Sequence, residues 1–237
     1  MEKSIVGIIQ ARMGSKRLPG KSILDLAGKP LLFRFIERVK RAETLTQVVL
    51  ATTENNEDDI LTQIAEGLGI DIFRGSENDL IDRYYQAAKN AKADLIVRLC
   101  ADNPVVEPKE IDRIVRVHLK SGNDFSANTH NIDNNGYPDG LGAEVYNFAL
   151  MERLRQITND PRNREHPHSY VYEHRECFKT GTVECPAEFR RPELKLDVNT
   201  QQEYRFLKDI YDYLFPKKSD FHITDIIHWY DNVYRKH

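Results

Sequence analysis

The sequence predicts an α/β protein built on a mostly parallel sheet. Short apolar runs alternate with amphipathic segments through roughly the first 130 residues, which is the pattern of repeated strand-helix units. Glycine, proline and asparagine punctuate the connections between them. The chain has 237 residues, enough for one large domain with a substantial core.

In the first half, each strand is predicted from a short apolar run and each helix from a 3.6-residue apolar period. Pro30 and Pro108 suit the first turn of a helix, and Gly69 suits a helix end. The expected strands are 5–9, 48–52, 70–73, 95–100 and 125–128, and the expected helices are 30–41, 57–68, 78–91 and 108–119.

The second half begins with a polar segment, 129–142, whose Asn, Asp, Gly and Pro content predicts a loop. The elements expected after it are strands at 143–146, 179–185 and 194–198 and helices at 147–158, 162–174, 201–214 and 223–234. Because the strand-helix alternation weakens here, we expect the middle portion to form an arm or small subdomain projecting from the sheet.

Composition excludes several classes of protein. The net charge of −3, with both signs interspersed, gives no basic field for nucleic acid. Three cysteines without C-x-x-C spacing argue against a disulfide framework and a structural zinc site, and they fit a reducing cytoplasm. No signal peptide or bilayer-spanning apolar run is visible, so we expect neither secretion nor a membrane partner.

A basic turn follows the first predicted strand. Arg12, Lys16, Arg17 and Lys21 lie among small residues where the carboxyl end of a parallel strand opens into a ligand-binding crevice, so they can neutralise a polyphosphate. The turn is not a P-loop, because five residues, rather than that motif's four, separate Gly14 from Gly20.

Several short motifs give the chain a family resemblance that covers nearly its whole length. Residues 8–15 (IIQARMGS) and 17–21 (RLPGK) closely resemble the opening signature of cytidylyltransferases of the CMP-sugar-acid synthetase group, especially the branch named for the spore coat polysaccharide protein SpsF. Further motifs follow in that branch's order: 51–53 (ATT), 73–76 (FRGS), 82–84 (DRY), 102–104 (DNP), 138–140 (PDG) and 164–166 (REH).

The resemblance implies a three-layer Rossmann-like nucleotidyltransferase fold, with 1–237 as a single domain and 129–190 as acceptor-site loop and dimerisation arm. It also implies transfer of CMP from CTP to an acceptor oxygen with release of pyrophosphate, in support of surface-polysaccharide synthesis. Negative charge grows on the leaving pyrophosphate, so fixed cations and a metal contribute most of the catalysis.

The expected catalytic residues are Arg12, Lys21 and Asp102. Ser15 and the amide groups around Gly14 complete a phosphate cradle. On the resemblance, the nucleotide-binding residues are Gln10, Ala11, Arg12, Met13, Gly14, Ser15, Lys21, Thr52, Arg74, Ser76 and Arg83. Arg74 as a solvated loop residue and Arg83 as a helix-surface ion pair with Asp79 or Asp82 remain open alternatives.

Magnesium is the expected cofactor. Asp102 follows a buried strand and precedes Asn103-Pro104, and Mg²⁺ prefers such carboxylate oxygens. The resemblance implies a second carboxylate near the last strand, where this chain has Asn199. Asp197, on the same face of that strand, can take its place, or the acceptor can complete the coordination shell.

The acceptor is expected to be an anionic small molecule bound by Tyr137, Asp139, Glu144, Arg164 and His166. The branch usually has an acidic residue where this chain has glycine at 142. The resemblance also implies a homodimer, paired through the aromatic segment 170–172.

Three alternatives remain. A zinc site at His166, His168 and His174 is disfavoured, because Pro167 interrupts the spacing and no cysteine or carboxylate set completes it. A glycosyltransferase usually carries Asp-x-Asp, which the chain lacks. A family member that binds nucleotide without turnover is suggested by Asn199 and Gly142.

Overall fold

The computed structural model describes residues 3–129 and 132–236, and its centre is a seven-stranded sheet. The strands of this sheet are β1 (Ile5–Gln10), β4 (Gln47–Thr53), β5 (Asp71–Gly75), β6 (Leu95–Cys100), β7 (Phe125–Ala127), β8 (Glu144–Asn147) and β9 (Thr180–Thr182). A small antiparallel pair, β2 (Asp25–Leu26) and β3 (Lys29–Pro30), stands apart from it. Residues 130 and 131, within the expected loop 129–142, lie outside the described part.

The order of strands across the sheet is β5-β4-β1-β6-β8-β7-β9. Strands β5, β4, β1 and β6 are parallel, whereas β8 runs antiparallel between β6 and β7. The predicted α/β fold with a mostly parallel sheet is therefore confirmed. Because β1 and β6 are neighbours, the loops that leave their carboxyl ends face the same crevice.

Nine helices accompany the sheet within the described ranges. They are α1 (Leu31–Val39), α2 (Asp59–Gly67), α3 (Leu80–Asn90), α4 (Pro108–Ser121), α5 (Phe148–Ile157), α6 (Pro161–Glu165), α7 (Pro167–Glu173), α8 (Gln201–Leu214) and α9 (Ile223–Asn232). Helices α1, α2 and α4 cover one face of the sheet, and α3 and α5 cover the other, which gives three layers.

The two faces follow from the side-chain alternation of a strand. In β1, Ile5 and Ile9 pack toward the α1 side, whereas Val6 and Ile8 pack toward the α3 side. All four are nearly or fully buried, which explains why the central strands read as continuous apolar runs.

The carboxyl-terminal helices form a third apolar cluster with the segment before them. Thr200 caps α8 in a capping box with Glu203, and Leu207 and Ile210 are fully buried beneath it. This cluster holds the segment 194–199 against the end of the sheet.

Two predicted elements are wrong. Residues 194–198 form no strand, only an isolated bridge between Asp139 and Lys195, because Pro138 lacks an N–H and Gly140 turns away with φ of 81°. The helix expected at 162–174 is two helices, because Pro167 interrupts it and begins α7.

The middle portion, 129–190, is joined to the sheet. It supplies β8 between β6 and β7 and adds β9 at the edge, and α5 packs on α3. In the described ranges, none of the helices combines the length and apolar character needed to cross a bilayer.

Candidate active site

Two cavities adjoin at the carboxyl ends of β1 and β6. The first, of about 300 Å³, is lined by five cations and two carboxylates, and we call it the basic cavity. The second, of about 540 Å³, is lined by four carboxylates and one arginine, and we call it the acidic cavity. Asp102 and His166 line both, so the two spaces meet at these side chains. The charged groups of the basic cavity are Arg12, Lys16, Arg17, Lys21, Arg83, Asp102 and Glu165, and those of the acidic cavity are Arg98, Asp102, Asp139, Glu144 and Asp197.

The loop after β1 is anchored by the fully buried carboxylate of Asp58. The Met13 amide donates to Asp58 Oδ1 at 2.7 Å, and the Thr53 hydroxyl donates to Oδ2 at 2.5 Å. Within the loop, the Gly20 amide donates to the Met13 carbonyl at 3.1 Å, and Gly20 has φ of 70°. These contacts fold residues 13–20 into a closed turn that delivers Lys21 to the crevice.

Lys21 is the best-coordinated cation of the basic cavity. Its Nζ lies 2.8 Å from Asp102 Oδ2, 2.7 Å from the Val198 carbonyl and 3.2 Å from Asn199 Oδ1. The ammonium thus ties the first loop to the loop after β6 and to the segment 194–199. The structure thus brings Lys21, Asp102 and Asn199 into contact.

The side chains expected to hold the metal are those of Asp102, Asp197 and Asn199, and Asp197 gives this set of oxygens an unbalanced negative charge. Its Oδ1 is buried and has no hydrogen-bond partner among the described residues, while Oδ2 accepts from the Asn199 amide. Burial, followed by the charges of Asp139, Glu203 and Asp102, raises the pKa of Asp197 to about 6. A divalent cation would relieve both the unpartnered oxygen and the repulsion, so the oxygen-rich set fits Mg²⁺.

The described residues contain no group of three or more His, Cys, Asp or Glu side chains arranged to hold a metal ion. The metal ligands expected from the sequence amount to two carboxylates, Asp102 and Asp197, with the Asn199 amide. This composition leaves positions for oxygens of a substrate, which is common at magnesium sites.

Two of the arginines expected to bind the nucleotide, Arg12 and Arg83, line the basic cavity. Arg12 pairs with Glu165 of α6 at 2.9 Å and donates to the Glu77 carbonyl at 3.2 Å. Arg83 is almost fully buried, donates to the Ser76 carbonyl at 2.9 Å, and has its pKa lowered by burial. The surface ion pair considered for Arg83 is therefore wrong. Arg12, in contrast, does form a partly exposed ion pair, with Glu165.

Several of the predicted nucleotide-binding residues shape the loop rather than line a cavity. Thr52 is buried, with its hydroxyl 3.0 Å from both the Ala11 carbonyl and Asp58. Arg74 donates to the Thr53 carbonyl and pairs with Asp59 at 2.6 Å. The predicted residues that line neither cavity are Met13, Gly14, Thr52, Arg74 and Ser76, and those that line the basic cavity are Gln10, Ala11, Arg12, Ser15, Lys21 and Arg83.

A buried ion pair forms the floor of the acidic cavity. Arg98 and Glu144 are register partners on β6 and β8, and Arg98 Nη1 donates to Glu144 Oε1 at 2.8 Å. The Tyr146 hydroxyl donates to Glu144 Oε2 at 2.6 Å. Burial alone would raise the pKa of Glu144, but the charge of Arg98 and the contact with His168 lower it, so Glu144 stays ionised.

The acceptor residues predicted from the sequence divide into two groups. Asp139, Glu144 and His166 line the acidic cavity. Tyr137 is fully buried, with its hydroxyl between Glu110 and Arg113, and it lines neither cavity. Arg164 also lines neither, because it pairs with Asp79 at 3.1 Å.

Gly142 lines the acidic cavity without leaving room for a side chain. A Cβ atom added there would lie 2.2 Å from the Asn128 carbonyl oxygen, too close for any side chain unless the backbone moves. The close approach of these two segments therefore explains glycine at this position.

Sequence reasoning missed several residues of the site, among them Asp58, Arg98, Glu165 and His168. Arg98 had a usable signal, because an arginine within the apolar run 95–100 requires a buried partner. Asp58 and His168 had no comparable signal, because a carboxylate near a helix start and a histidine on a short helix are ordinary surface features.

The comparisons with known proteins agree with this geometry. A family model described as cytidylyltransferase matches residues 6–229. The spore coat polysaccharide biosynthesis protein SpsF of Bacillus subtilis is 32% identical over 212 residues, covering 87% of this chain and 86% of that protein.

Solved structures show the same relationship. A cytidylyltransferase from Leptospira borgpetersenii has a TM-score of 0.87 at 34% identity and covers 98% of this chain and 95% of its own. A CMP:2-keto-3-deoxy-manno-octonic acid synthetase complexed with CTP shares the fold, with a TM-score of 0.65 at 17% identity over 90% of this chain and 99% of its own. With a family model spanning nearly the whole chain and a cation-lined crevice at the expected strand ends, this chain belongs to the cytidylyltransferase family and is a nucleotidyltransferase.

Proposed function

We propose that this protein transfers CMP from CTP to a hydroxyl or other oxygen of a small acceptor and releases pyrophosphate. The observation that carries the proposal is the pair of adjoining cavities, one basic and one acidic, that meet at Asp102 and His166. A nucleoside triphosphate suits the basic cavity, and an acceptor in the acidic cavity would then face its α-phosphorus across that junction.

The basic cavity supports the role of triphosphate site through its charge. Lys21 lies closest to the junction and would stabilise the charge that grows on the leaving pyrophosphate. Arg12 would exchange Glu165 for a phosphate oxygen, since an ion pair with about a third of each side chain exposed is weak. Ser15 and the loop amides would complete the phosphate contacts, and the cytosine and ribose would lie toward Arg83.

Asp102, Asp197 and Asn199 would hold Mg²⁺ beside the triphosphate. When bound, the ion supplies Lewis-acid stabilisation of phosphate charge. Lys21 would shift from Asp102 toward the phosphates, while the Val198 carbonyl keeps its side chain near the junction. Of these three residues, Asp197 would be stabilised most by the cation, because its buried Oδ1 has no partner among the described residues.

The acceptor would be a sugar acid, a sugar phosphate or a related anionic precursor of a surface polysaccharide, as the SpsF relative's name suggests. Asp139, Glu144 and His166 would line its site. Arg98, together with the cation held by Asp102 and Asp197, would offset the carboxylates of this cavity, so that an acceptor with a single anionic group can bind there. We further propose that the protein acts in the cytoplasm as a homodimer paired through the arm that carries Tyr170 and Tyr172, with no nucleic-acid or membrane partner.

The direct test is pyrophosphate release by the purified protein with Mg²⁺ and CTP, against ATP, GTP and UTP, and with a panel of acceptors. The panel contains 3-deoxy-manno-octulosonate, N-acetylneuraminate, a sugar 1-phosphate and a hydroxyalkyl phosphonate. We expect release with CTP that depends on an acceptor, together with a CMP-linked product by mass spectrometry. Nucleotide binding without release would support a non-catalytic binder, and consumption of nucleotide sugars would support a glycosyltransferase.

A further inference from the structure

One histidine of the acidic cavity has a carboxylate partner that fixes its chemistry. His168, on α7, lines the cavity, and its Nδ1 lies 3.1 Å from Glu144 Oε1, although without the alignment of a full hydrogen bond. An ionised carboxylate has no hydrogen to donate, so the ring nitrogen beside it carries the proton. The neutral ring then keeps its lone pair on Nε2, the atom left for a ligand.

Glu144 is held in place as an anion by contacts other than His168. Arg98 donates to its Oε1 at 2.8 Å and Tyr146 to its Oε2 at 2.6 Å, and all three side chains are buried in the sheet. This rigid anion both orients the imidazole and stabilises the imidazolium that would form if Nε2 took up a proton, which is the relation between carboxylate and histidine in general-base catalysis.

His166, the other histidine of the cavity, lacks this arrangement. It is exposed and is not paired with a carboxylate among the described side chains. The pKa of His166 is lowered by burial of part of the ring and by His168 and Arg98. The two rings therefore have different environments although they are only two residues apart in sequence. Of the two, only His168 lies beside a carboxylate that is held in place, that of Glu144.

We propose that His168 Nε2 is the general base that removes the proton from the acceptor hydroxyl, a role that rests on the cytidylyl transfer proposed above. The acceptor oxygen forms a bond to the α-phosphorus of CTP as its O–H bond breaks and the proton passes to Nε2. The bond from the α-phosphorus to the bridging oxygen breaks, and its electron pair leaves with pyrophosphate. The imidazolium then returns its proton to solvent.

The first test observes the ring itself and needs no turnover. Histidine labelled with ¹⁵N, with its signals assigned by their loss in His168→Gln, reports which ring nitrogen carries the proton at pH 7.5, with and without CTP. We expect His168 as the Nδ1–H form. A ring protonated at Nε2 and bare at Nδ1 would overturn the proposal even in an active enzyme.

The second test is kinetic and uses the acceptor that gives the fastest pyrophosphate release. His168→Gln should lower kcat by about 10²-fold or more, while the KM for CTP changes little. His174→Gln, on the same arm but outside both cavities, serves as the matched control and should behave like the wild type. A small effect of His168→Gln on kcat would contradict the proposed role.

The pH profile separates a chemical role from a merely structural one. A base must be neutral to accept a proton, so kcat of the wild type should fall at acid pH, and this fall should be absent in the residual activity of His168→Gln. If kcat of His168→Gln fell at low pH as it does in the wild type, the fall would belong to another group. The other charged and titratable groups that line the same cavity are Arg98, Cys100, Asp102, Asp139, Glu144, His166, Tyr172 and Asp197.

Failure of this proposal is distinguishable from failure of the proposed function. If pyrophosphate is released equally well by His168→Gln, only the role of His168 is lost. If no acceptor supports release by the wild type, cytidylyl transfer to these acceptors is lost, and the protonated ring nitrogen still decides whether the arrangement of His168 and Glu144 exists.

Discussion

The two cavities share an edge but have opposite charge. The basic cavity is lined by five cations and two carboxylates, whereas the acidic cavity is lined by one arginine and four carboxylates. The difference arises from the chain segments that build them: a single basic loop supplies most of the first, and strand ends from distant parts of the sequence supply the second. A polyphosphate can therefore lie in only one of them without strong repulsion.

The largest expected effect is on Lys21→Ala, which tests whether the basic cavity stabilises the leaving group. Loss of one charge-stabilising donor should reduce kcat by on the order of 10²-fold, measured as pyrophosphate release at saturating CTP. Lys16→Ala removes an exposed cation from the same cavity and should have a smaller effect. Equal effects of the two variants would mean that only total charge matters.

Asp58→Ala tests whether the basic loop depends on its buried anchor. The Met13 amide and the hydroxyls of Thr52 and Thr53 would lose their partner, so the free energy of unfolding should fall by about 2–3 kcal/mol. Chemical denaturation measures this change. The neighbouring Asp59→Ala, at an exposed ion pair with Arg74, should cost less than about 1 kcal/mol, and a similar loss in both variants would contradict the anchoring role.

Asp102→Asn tests the shared edge of the two cavities. Loss of this carboxylate should raise the Mg²⁺ concentration needed for half-maximal pyrophosphate release by about tenfold or more. Asp139→Asn, which removes a carboxylate from the acidic cavity only, should leave that titration close to the wild type and change the KM for the acceptor instead. An unchanged Mg²⁺ titration in Asp102→Asn would count against Asp102 as a ligand.

Glu165→Gln is expected to have the smallest effect, because it frees Arg12 from an exchangeable partner. The KM for CTP should fall by up to about fivefold, the size of an exposed ion pair of at most about 1 kcal/mol. Glu77→Gln is the control, since Arg12 contacts only the main-chain carbonyl of Glu77. A higher KM in Glu165→Gln would show that Glu165 supports nucleotide binding.

The sequence predicted the candidate site best where the functional residues come shortly after the end of a strand. Arg12, Lys21 and Asp102 come just after β1 or β6, so their convergence could be predicted from local pattern and the geometry of parallel strands. Most helices were also predictable, because their apolar period is local. The bridge at 195 and the break at Pro167 show the limit of that reasoning.

The acidic cavity depends on contacts that local pattern does not contain. Arg98 meets Glu144 only because β8 pairs antiparallel with β6, a register between strands 46 residues apart in sequence. His168 reaches Glu144 only because α7 folds over that pair. Such partners are set by the sheet order and not by spacing, which is why Arg98 and His168 were missed while Glu144 was assigned a direct contact with the acceptor.

The most direct test of the opposed cavities is an experimental structure with bound CTP. We expect the triphosphate in the basic cavity, with Lys21 Nζ and the Arg12 guanidinium within hydrogen-bond distance of phosphate oxygens and the α-phosphorus nearest to Asp102. A nucleotide bound in the acidic cavity or elsewhere, with Arg12 and Lys21 directed into solvent, would contradict it.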